Sequence, residues 1–425
     1  MSQTVYCTIA SANYMPQIMA LKESLLRHNP GARFEILLCE HPAVVRELSA
    51  ELHQEFYRPD NIGCPDWLHM AFYYDCMEYN TALKPFFLQQ LFAEGADRVV
   101  YIDPDIAVYG SMAELEKLLD EHPLVLTPHI CRPLEDDGLR PPLTQIHVVG
   151  QFNLGFGAFR RTPEVEEVLR WWANRCLRDC ISDLPAGIFV DQSWAAFFVS
   201  FVPDAKVLRS EAYNMAYWNV FQRSLWRDGD TWMTNDGPLV FFHYSGFTKN
   251  EIELVSRHQN RVRAEPGTPL HTLLSSYAEL MVNSPYKSLE KFPYSFARFR
   301  DNSPITQVLR RRFRAMSDVE RRLITNPFAE RALLEGMQVV VGLDGTTREL
   351  EHLRHEVERL RHEVGQLRSD NERMRGGQPR ELRYRAADAL NNLVKQRVPG
   401  LHGPAKRLVD MAKDVRRLAR KGVRA

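Results

Sequence analysis

The sequence lacks the segments that would carry a protein into or across a membrane. Its opening residues, MSQTVYCTIASANY, hold no basic stretch followed by an apolar core, so we expect no signal peptide. No window approaches the roughly 20 apolar residues of a membrane-spanning helix. The seven cysteines are scattered, and the close pair Cys176 and Cys180 has no histidine nearby, which favours reduced thiols over a disulfide or a zinc site. We therefore expect a cytoplasmic protein.

An overall excess of charge is also missing, because 54 basic and 54 acidic residues cancel. The charges are nevertheless uneven along the chain. Residues 377–425 hold about thirteen Lys and Arg against about four Asp and Glu, residues 346–376 are neutral, and residues 1–345 are correspondingly acidic. An acidic body with a basic tail indicates that the tail has an anionic partner of its own.

What the N-terminal part does contain is an alternation of strand and helix patterns, which predicts an α/β fold with a mixed, mostly parallel sheet and helices on both faces. Ligands of such sheets bind at the carboxyl ends of the strands, where Ser11, Asn13 and Asp103 fall. The predicted strands are Thr4–Ala10, Phe34–Cys39, Val99–Ile102 and Leu124–Thr127, and the predicted helices are Gln17–His28, Leu83–Phe92 and Met112–Leu119.

The segment Asp103-Pro104-Asp105 directly follows one of these strands. Two carboxylates separated by one residue can point toward one divalent cation, and Mg²⁺ and Mn²⁺ prefer such oxygen ligands. Pro104 fixes its own φ and stiffens the pair. The alternative is an ordinary turn, since Asp and Pro are common turn residues. The motif alone does not decide between the two.

Several separated segments, in order, resemble the pattern of nucleotide-sugar-dependent glycosyltransferases with the GT-A fold, specifically family 8. The resemblance covers roughly residues 1–250. It departs from the family at Ser11, where an acidic residue is usual, and this leaves the identity of the base open. The matching segments are TIASANYMPQIMALKESLLRHNP, EYNTALKPFFLQQLF, the Asp103–Asp105 motif, FNLGFGAFRR, FVDQSWAAFF and FFHYSGFTKN.

The resemblance implies roles for individual residues. It places the base and ribose of the donor at Ala10, Ser11, Asn13 and Tyr14, the donor sugar at Asn153, and further donor contacts at Lys84, Gly246 and Lys249. It implies that Asp103, Asp105 and His243 bind Mn²⁺ or Mg²⁺, and that Gln192, with Asp191 beside it, faces the reacting sugar carbon of a retaining enzyme. A UDP-sugar is the expected donor.

Three of these roles have simpler alternatives. Lys84 could be a solvated helix lysine, and Asp191 could cap the helix that follows it. His243 could be a half-buried histidine at a strand end, although Gly246 and Lys249 in the same His-x-x-Gly-x-x-Lys spacing favour the ligand interpretation.

The chain beyond residue 250 predicts three further regions. Residues 251–345 form a helical appendage, and residues 346–376 carry heptads with Leu350, Val357, Val364 and Asn371 at a, typical of a parallel homodimeric coiled coil. Residues 377–425 are basic and amphipathic, as in a helix that lies on an anionic membrane surface. A single helix folded back on the body is the alternative to the coil, and a partner protein or nucleic acid is the alternative to the membrane.

Taken together, the sequence predicts a dimeric, metal-dependent glycosyltransferase of bacterial surface polysaccharide synthesis, acting on a saccharide or lipid-linked saccharide acceptor. A second hypothesis is a non-catalytic coiled-coil scaffold with a degenerate transferase domain. The intact set of Asp103, Asp105, His243 and Lys249 argues against it. A nucleotidyltransferase is disfavoured because the segment TIASANY lacks a glycine-rich, basic phosphate loop.

Overall fold

A computed structural model of the chain describes residues 3–331 and residue 334. These residues belong to one compact unit, Met1–Val340. The predicted coiled coil of residues 346–376 and the predicted basic tail of residues 377–425 lie outside the described residues. Within the described part of the chain, no helix combines the length and the apolar character needed to cross a bilayer.

A six-stranded sheet forms the centre of this unit, in the order β2-β1-β3-β6-β5-β9. Strand β1 pairs in parallel with β2 and β3, and β5 pairs in parallel with β9, whereas β6 runs antiparallel to both β3 and β5. The sheet is therefore mixed and rich in parallel pairs, as predicted. Its strands are β1 Thr4–Ala10, β2 Arg33–Leu38, β3 Arg98–Ile102, β5 Leu124–Pro128, β6 Phe152–Arg160 and β9 Lys206–Val207.

Smaller sheets extend the unit on one side. Strand β4 follows β3 directly in the chain and pairs antiparallel with β14, which pairs in parallel with β10. A three-stranded sheet joins β11, β12 and β13, and β7 pairs with β8. The bounds are β4 Ile106–Val108, β7 Ser182–Asp183, β8 Ile188–Phe189, β10 Met215–Ala216, β11 Trp226–Asp228, β12 Thr231–Thr234, β13 Gly237–Pro238 and β14 Phe241–His243.

Helices cover both faces of the central sheet because its strands are apolar on both sides. Along β1, Val5 packs into one hydrophobic cluster and the next residue, Tyr6, into the cluster on the opposite face, as the two-residue period of a strand requires. The helices are α1 Met15–His28, α2 Pro42–Leu52, α3 Trp67–Tyr73, α4 Cys76–Ala82, α5 Lys84–Ala93, α6 Ala113–Glu121, α7 Leu143–Val149, α8 Pro163–Cys176, α9 Phe198–Phe201, α10 Pro269–Val282, α11 Gln307–Ala315 and α12 Asp318–Arg322. Short 3-10 helices include Ala12–Tyr14, Gln192–Phe197 and Lys287–Lys291.

The strands and helices that were predicted are confirmed to within two residues at each end. Strand β6, near the middle of the sheet, was not predicted as a strand, although its residues were singled out as a motif. Its first eight residues are all buried, and it contains Gly155 and Gly157, so it shows no alternation of polar and apolar residues.

The chain beyond residue 290 is fastened to the body by arginines of α11. The guanidinium of Arg310 is buried and donates hydrogen bonds to the backbone oxygens of Ala71, Phe72 and Tyr74 in and after α3, and to Phe296 O, at 2.6–3.1 Å. The next residue, Arg311, bonds through both terminal nitrogens to the fully buried carboxylate of Glu78. These contacts make the C-terminal part of the described chain continuous with the core.

Candidate active site

Three potential metal ligands converge where β3 ends. Asp103 and Asp105 lie in the turn between β3 and β4, and His243 is the last residue of β14, paired with Ile106 of β4. His243 Nε2 lies 3.1 Å from Asp105 Oδ1 and 3.8 Å from Asp103 Oδ2. One ligand atom from each residue lies within 4.8 Å of the others. Two carboxylate oxygens and an imidazole nitrogen form a donor set that suits Mn²⁺ or Mg²⁺.

The backbone of β6 packs directly against the triad. Asp103 N donates to Gly155 O at 2.7 Å, so the turn that carries the carboxylates is fastened to that strand. A Cβ on Gly155 would lie 2.4 Å from His243 Cε1 and 2.7 Å from Asp103 Oδ2. Only glycine leaves room for the ligands here. Sequence reasoning did not single out Gly155, although a glycine inside a strand often marks a close approach of this kind.

The charges of the triad are held in place by buried neighbours. The hydroxyl of Tyr101 donates to Asp103 Oδ1 at 2.6 Å. Burial and this carboxylate raise the pKa of Tyr101 well above its ordinary value, so the phenol stays a donor. Burial alone would lower the pKa of His243, but Asp105 and Asp103 outweigh it and raise the pKa. A divalent cation binds the neutral ring and would therefore compete with protonation of His243.

Lys84 and Asp191 form a buried ion pair beside the triad. Lys84 Nζ lies 2.8 Å from Asp191 Oδ2, and the two side chains are only 4% and 2% exposed. The ammonium also donates to Leu154 O at 2.8 Å and lies 4.2 Å from the ring centre of Tyr101. Burial opposes its charge, yet Asp191 and Asp103 hold the pKa of Lys84 above its ordinary value.

These positions exclude two of the simpler interpretations. Lys84 is not a solvated helix lysine, because it lies inside the protein under the acidic turn. Asp191 precedes the 3-10 helix Gln192–Phe197, but its side chain makes no capping hydrogen bond. Its carboxylate forms an ion pair with Lys84 instead.

Gln192 and Asn153 belong to one buried network of amides. Gln192 Oε1 accepts from Leu154 N at 2.9 Å and from Asn153 Nδ2 at 3.3 Å, and its Nε2 donates to Val149 O at 2.7 Å. Asn153 Oδ1 accepts from Asn214 Nδ2 at 3.1 Å. The network fixes both amides at the start of β6, next to Gly155.

Two residues of this network were not found from the sequence. Asn214 has a φ of +53° and is fully buried, and its amide also donates to Thr127 Oγ1 at 2.8 Å. His129 lies 3.4 Å from Asn153 Nδ2, and burial lowers its pKa to about 4. Both contacts join residues far apart in the chain, so the sequence around each gives no local sign of them.

The loop after β1 lies beside the triad. Ala10 ends the strand, and the hydroxyl of the buried Ser11 contacts Asn80 Nδ2 at 3.1 Å and Cys76 Sγ at 3.2 Å. Asn13 and Tyr14 form the short helix that follows, with Tyr14 39% exposed. Burial and, after it, the charge of Asp105 raise the pKa of Tyr14, which places this phenol within reach of the acidic turn.

The His-x-x-Gly-x-x-Lys segment continues the chain from His243 of the triad to Gly246 and Lys249. Gly246 has a φ of +67°, and a Cβ there would lie 2.3 Å from His258 Cδ2. Arg257 N donates to Gly246 O at 3.0 Å, so residues 256–258 line this end of the site, and sequence reasoning missed them. Lys249 Nζ lies 2.5 Å from Glu290 Oε1 and is therefore paired.

The comparisons with known proteins give relatives but no family. No protein-family profile matches the chain. The uncharacterized protein YfnF of Bacillus subtilis strain 168 is 26% identical over 270 residues, which cover 59% of this chain and 85% of YfnF. The uncharacterized protein YfnD of the same strain is 24% identical over 257 residues, covering 58% of this chain and 79% of YfnD.

Solved structures similar to this chain include glycosyltransferases. GlyE of Streptococcus pneumoniae TIGR4 is 17% identical, with 70% of this chain and 67% of GlyE covered and a TM-score of 0.37. The galactosyltransferase LgtC in complex with donor and acceptor sugar analogues is 15% identical, with 65% and 96% covered and a TM-score of 0.35. TM-scores below 0.5 do not establish a shared fold.

Proposed function

We propose that this protein is a metal-dependent glycosyltransferase of the GT-A type, resembling family 8. The donor would be a nucleotide sugar, with UDP as the expected nucleotide, and transfer would retain the anomeric configuration. The acceptor would be a saccharide or lipid-linked saccharide of bacterial surface polysaccharide synthesis. The observation that carries the proposal is the convergence of Asp103, Asp105 and His243 at the carboxyl edge of a parallel-rich sheet, beside the loop Ser11–Tyr14.

The chemistry follows from this placement. A nucleoside diphosphate leaving group gains negative charge as the bond to the sugar breaks, and a divalent cation in the triad would stabilise that charge as a Lewis acid. The loop after β1 would hold the nucleoside, since Tyr14 exposes its ring next to the acidic turn. Gly246 and Lys249 would lie near the phosphates, with Lys249 contributing its charge once it leaves Glu290.

Asn153, Gln192 and Asp191 would face the donor sugar and its reacting carbon. Asn153 and Gln192 are pre-organised, because their amides already bond to each other and to the backbone of β6. For Gln192 Oε1 to stabilise a cationic sugar centre, it would have to give up one of its two present donors. Asp191 is neutralised by Lys84, which suits a positioning residue better than a nucleophile.

The test is calorimetric titration of the full-length protein with UDP- and GDP-sugars, with and without Mn²⁺. Donor binding that requires the metal and is lost in Asp105→Ala would support the proposal and identify the nucleotide. Asp228→Ala serves as the matched control, because Asp228 is an exposed carboxylate on the hairpin strand β11. If no donor binds under any condition while the metal does bind, the transferase proposal fails and the scaffold hypothesis replaces it.

Dimerisation through residues 346–376, attachment of residues 377–425 to the inner face of an anionic membrane, and a cytoplasmic location remain proposals from the sequence. Sedimentation of the full chain, compared with a chain ending at residue 345, would test the dimer. Flotation with vesicles containing anionic lipid would test the attachment.

A further inference from the structure

A cavity lies between the start of α2 and the segment 295–328. None of its lining residues belongs to the candidate active site. Its volume is about 160 Å³. This is several times the ~30 Å³ that one water molecule occupies in the liquid, so the cavity admits a small polyatomic ligand. Phenylalanine rings form part of the wall, and the polar lining residues are His41, Ser295, Arg298, Arg300 and Asn326.

The two lining arginines carry charge that the surrounding protein does not neutralise. Within residues 3–331, neither Arg298 nor Arg300 has a carboxylate oxygen within 4.0 Å. Arg298 donates one hydrogen bond, to Asn302 O at 2.8 Å. The guanidinium of Arg300 makes no hydrogen bond to any of the described residues, so its donors remain available.

The pKa of His41, another lining residue, responds to charges around the cavity. Its pKa is lowered, first by burial and then by the charges of Arg46 and Arg300. Asp60 acts in the opposite direction, but its carboxylate is engaged by Arg58 at 2.9 Å. Among the charges that act on His41, two are therefore positive and one is negative.

One neutral donor, the amide of Asn326, also lines the cavity. Asn326 Oδ1 accepts from Phe328 N at 3.1 Å, which fixes the side chain and leaves its NH₂ group to donate. Ser295 Oγ accepts from His41 N at 2.7 Å and donates to Glu40 Oε2 at 2.5 Å, so it ties the segment to the first residue before α2 and is itself fully used. Guanidinium and amide donors around a small cavity are the groups that recognise a phosphoryl oxyanion, and arginine does so with two parallel bonds.

We propose that this cavity is a binding site for a small phosphoryl anion, either inorganic phosphate or a phosphomonoester, with Arg298, Arg300 and Asn326 as its donors. The site is separate from the proposed donor site and does not depend on the transferase assignment.

The wall of the cavity is connected to the loop after β1. Ser295 N donates to Glu40 Oε2 at 2.8 Å, and the other oxygen of the buried Glu40 accepts from Ala12 N at 3.0 Å. A bound anion would therefore fix a segment that also fixes the loop between Ser11 and Tyr14.

The test is calorimetric titration of the full chain with inorganic phosphate and, separately, with glucose 1-phosphate, at constant ionic strength and with EDTA so that the metal triad stays unloaded. We expect saturable binding of at least one ligand, with the tighter one naming the source. Arg300→Gln removes the unpartnered guanidinium, and Asn326→Asp places a carboxylate in the cavity. Each should weaken binding at least tenfold.

Arg170→Gln is the matched control, because Arg170 is an exposed arginine of α8 on another surface, and its dissociation constant should equal that of the wild type. No binding by either ligand, a wild-type dissociation constant in both cavity variants, or replacement by chloride at the same ionic strength would each overturn the proposal. Circular dichroism spectra that match the wild type confirm that the variants are folded.

Discussion

The stability of the core depends on the buried ion pair between Lys84 and Asp191. Lys84→Met keeps the volume and removes the ammonium, leaving the carboxylate of Asp191 inside the protein without its partner. Both side chains are less than 5% exposed, so solvent does not compensate for the loss. Removing one member of a buried pair costs about 3–5 kcal/mol. The variant also loses the bond to Leu154 O.

The assay is urea unfolding followed by tryptophan fluorescence. Trp172 is a suitable reporter, since it is fully buried and its Nε1 donates to Asp191 O at 3.2 Å. We expect a lower unfolding midpoint for Lys84→Met at an unchanged slope. Lys117→Met is the matched control, because Lys117 pairs with Glu114 at 2.7 Å on the surface, and it should unfold like the wild type.

A double variant separates the charge from the packing. Lys84→Met combined with Asp191→Asn removes the stranded carboxylate charge, so it should be more stable than Lys84→Met alone, and the two substitutions should not be additive. A loss of less than about 1 kcal/mol in Lys84→Met, the range of exposed ion pairs, would refute the reasoning. Strict additivity in the double variant would refute it equally.

Three further predictions concern the surroundings of the site. Gly155→Ala should weaken Mn²⁺ binding at least tenfold by calorimetry, because its Cβ would displace the ligands, whereas a Cβ on Gly157 meets only the apolar side chains of Phe159 and Leu126, so Gly157→Ala should keep the affinity. As the pH falls from 6.5 to 4, the unfolded state takes up a proton that native His129 refuses, so stability should drop by about 3 kcal/mol more in the wild type than in His129→Gln, measured by urea unfolding. Arg310→Met should lower the unfolding midpoint strongly, because it strands four backbone oxygens, and Arg312→Met on the same helix should leave it close to the wild type.

The local parts of the fold could be predicted because their signals are local. The β-branched run Val99–Ile102 followed by Asp103 indicates a strand with carboxylates at its end, and β1 shows the same apolar density. Their adjacency is not a local signal, because β2 lies between them in the chain and pairs with the other edge of β1. The position of His243, by contrast, came from the resemblance, since its 140-residue separation from Asp103 leaves no periodic sign.

The contacts that sequence reasoning missed are long-range or conceal their own pattern. Lys84 and Asp191 meet across more than 100 residues, and each taken alone fits a surface helix or a cap. Strand β6 has no alternation because both of its faces are buried and its glycines make room for other groups. The sequence of β6 therefore shows no strand period, and the strand is defined by the groups that pack against it.

The segment after residue 286 reaches the candidate site from two directions, and this argues for its part in the activity. Glu290 pairs with Lys249 at one end of the site. At the other end, Ser295 N donates to Glu40, and Glu40 accepts from Ala12 N. Both contacts end on residues that the resemblance assigns to the donor or that adjoin them. A chain cut after residue 250 would leave Lys249 unpaired and Glu40 buried with only one of its oxygens bonded. We therefore expect such a fragment to lose donor binding even where the metal triad itself is intact, and calorimetry with Mn²⁺ and the donor, titrated in turn, would separate the two losses.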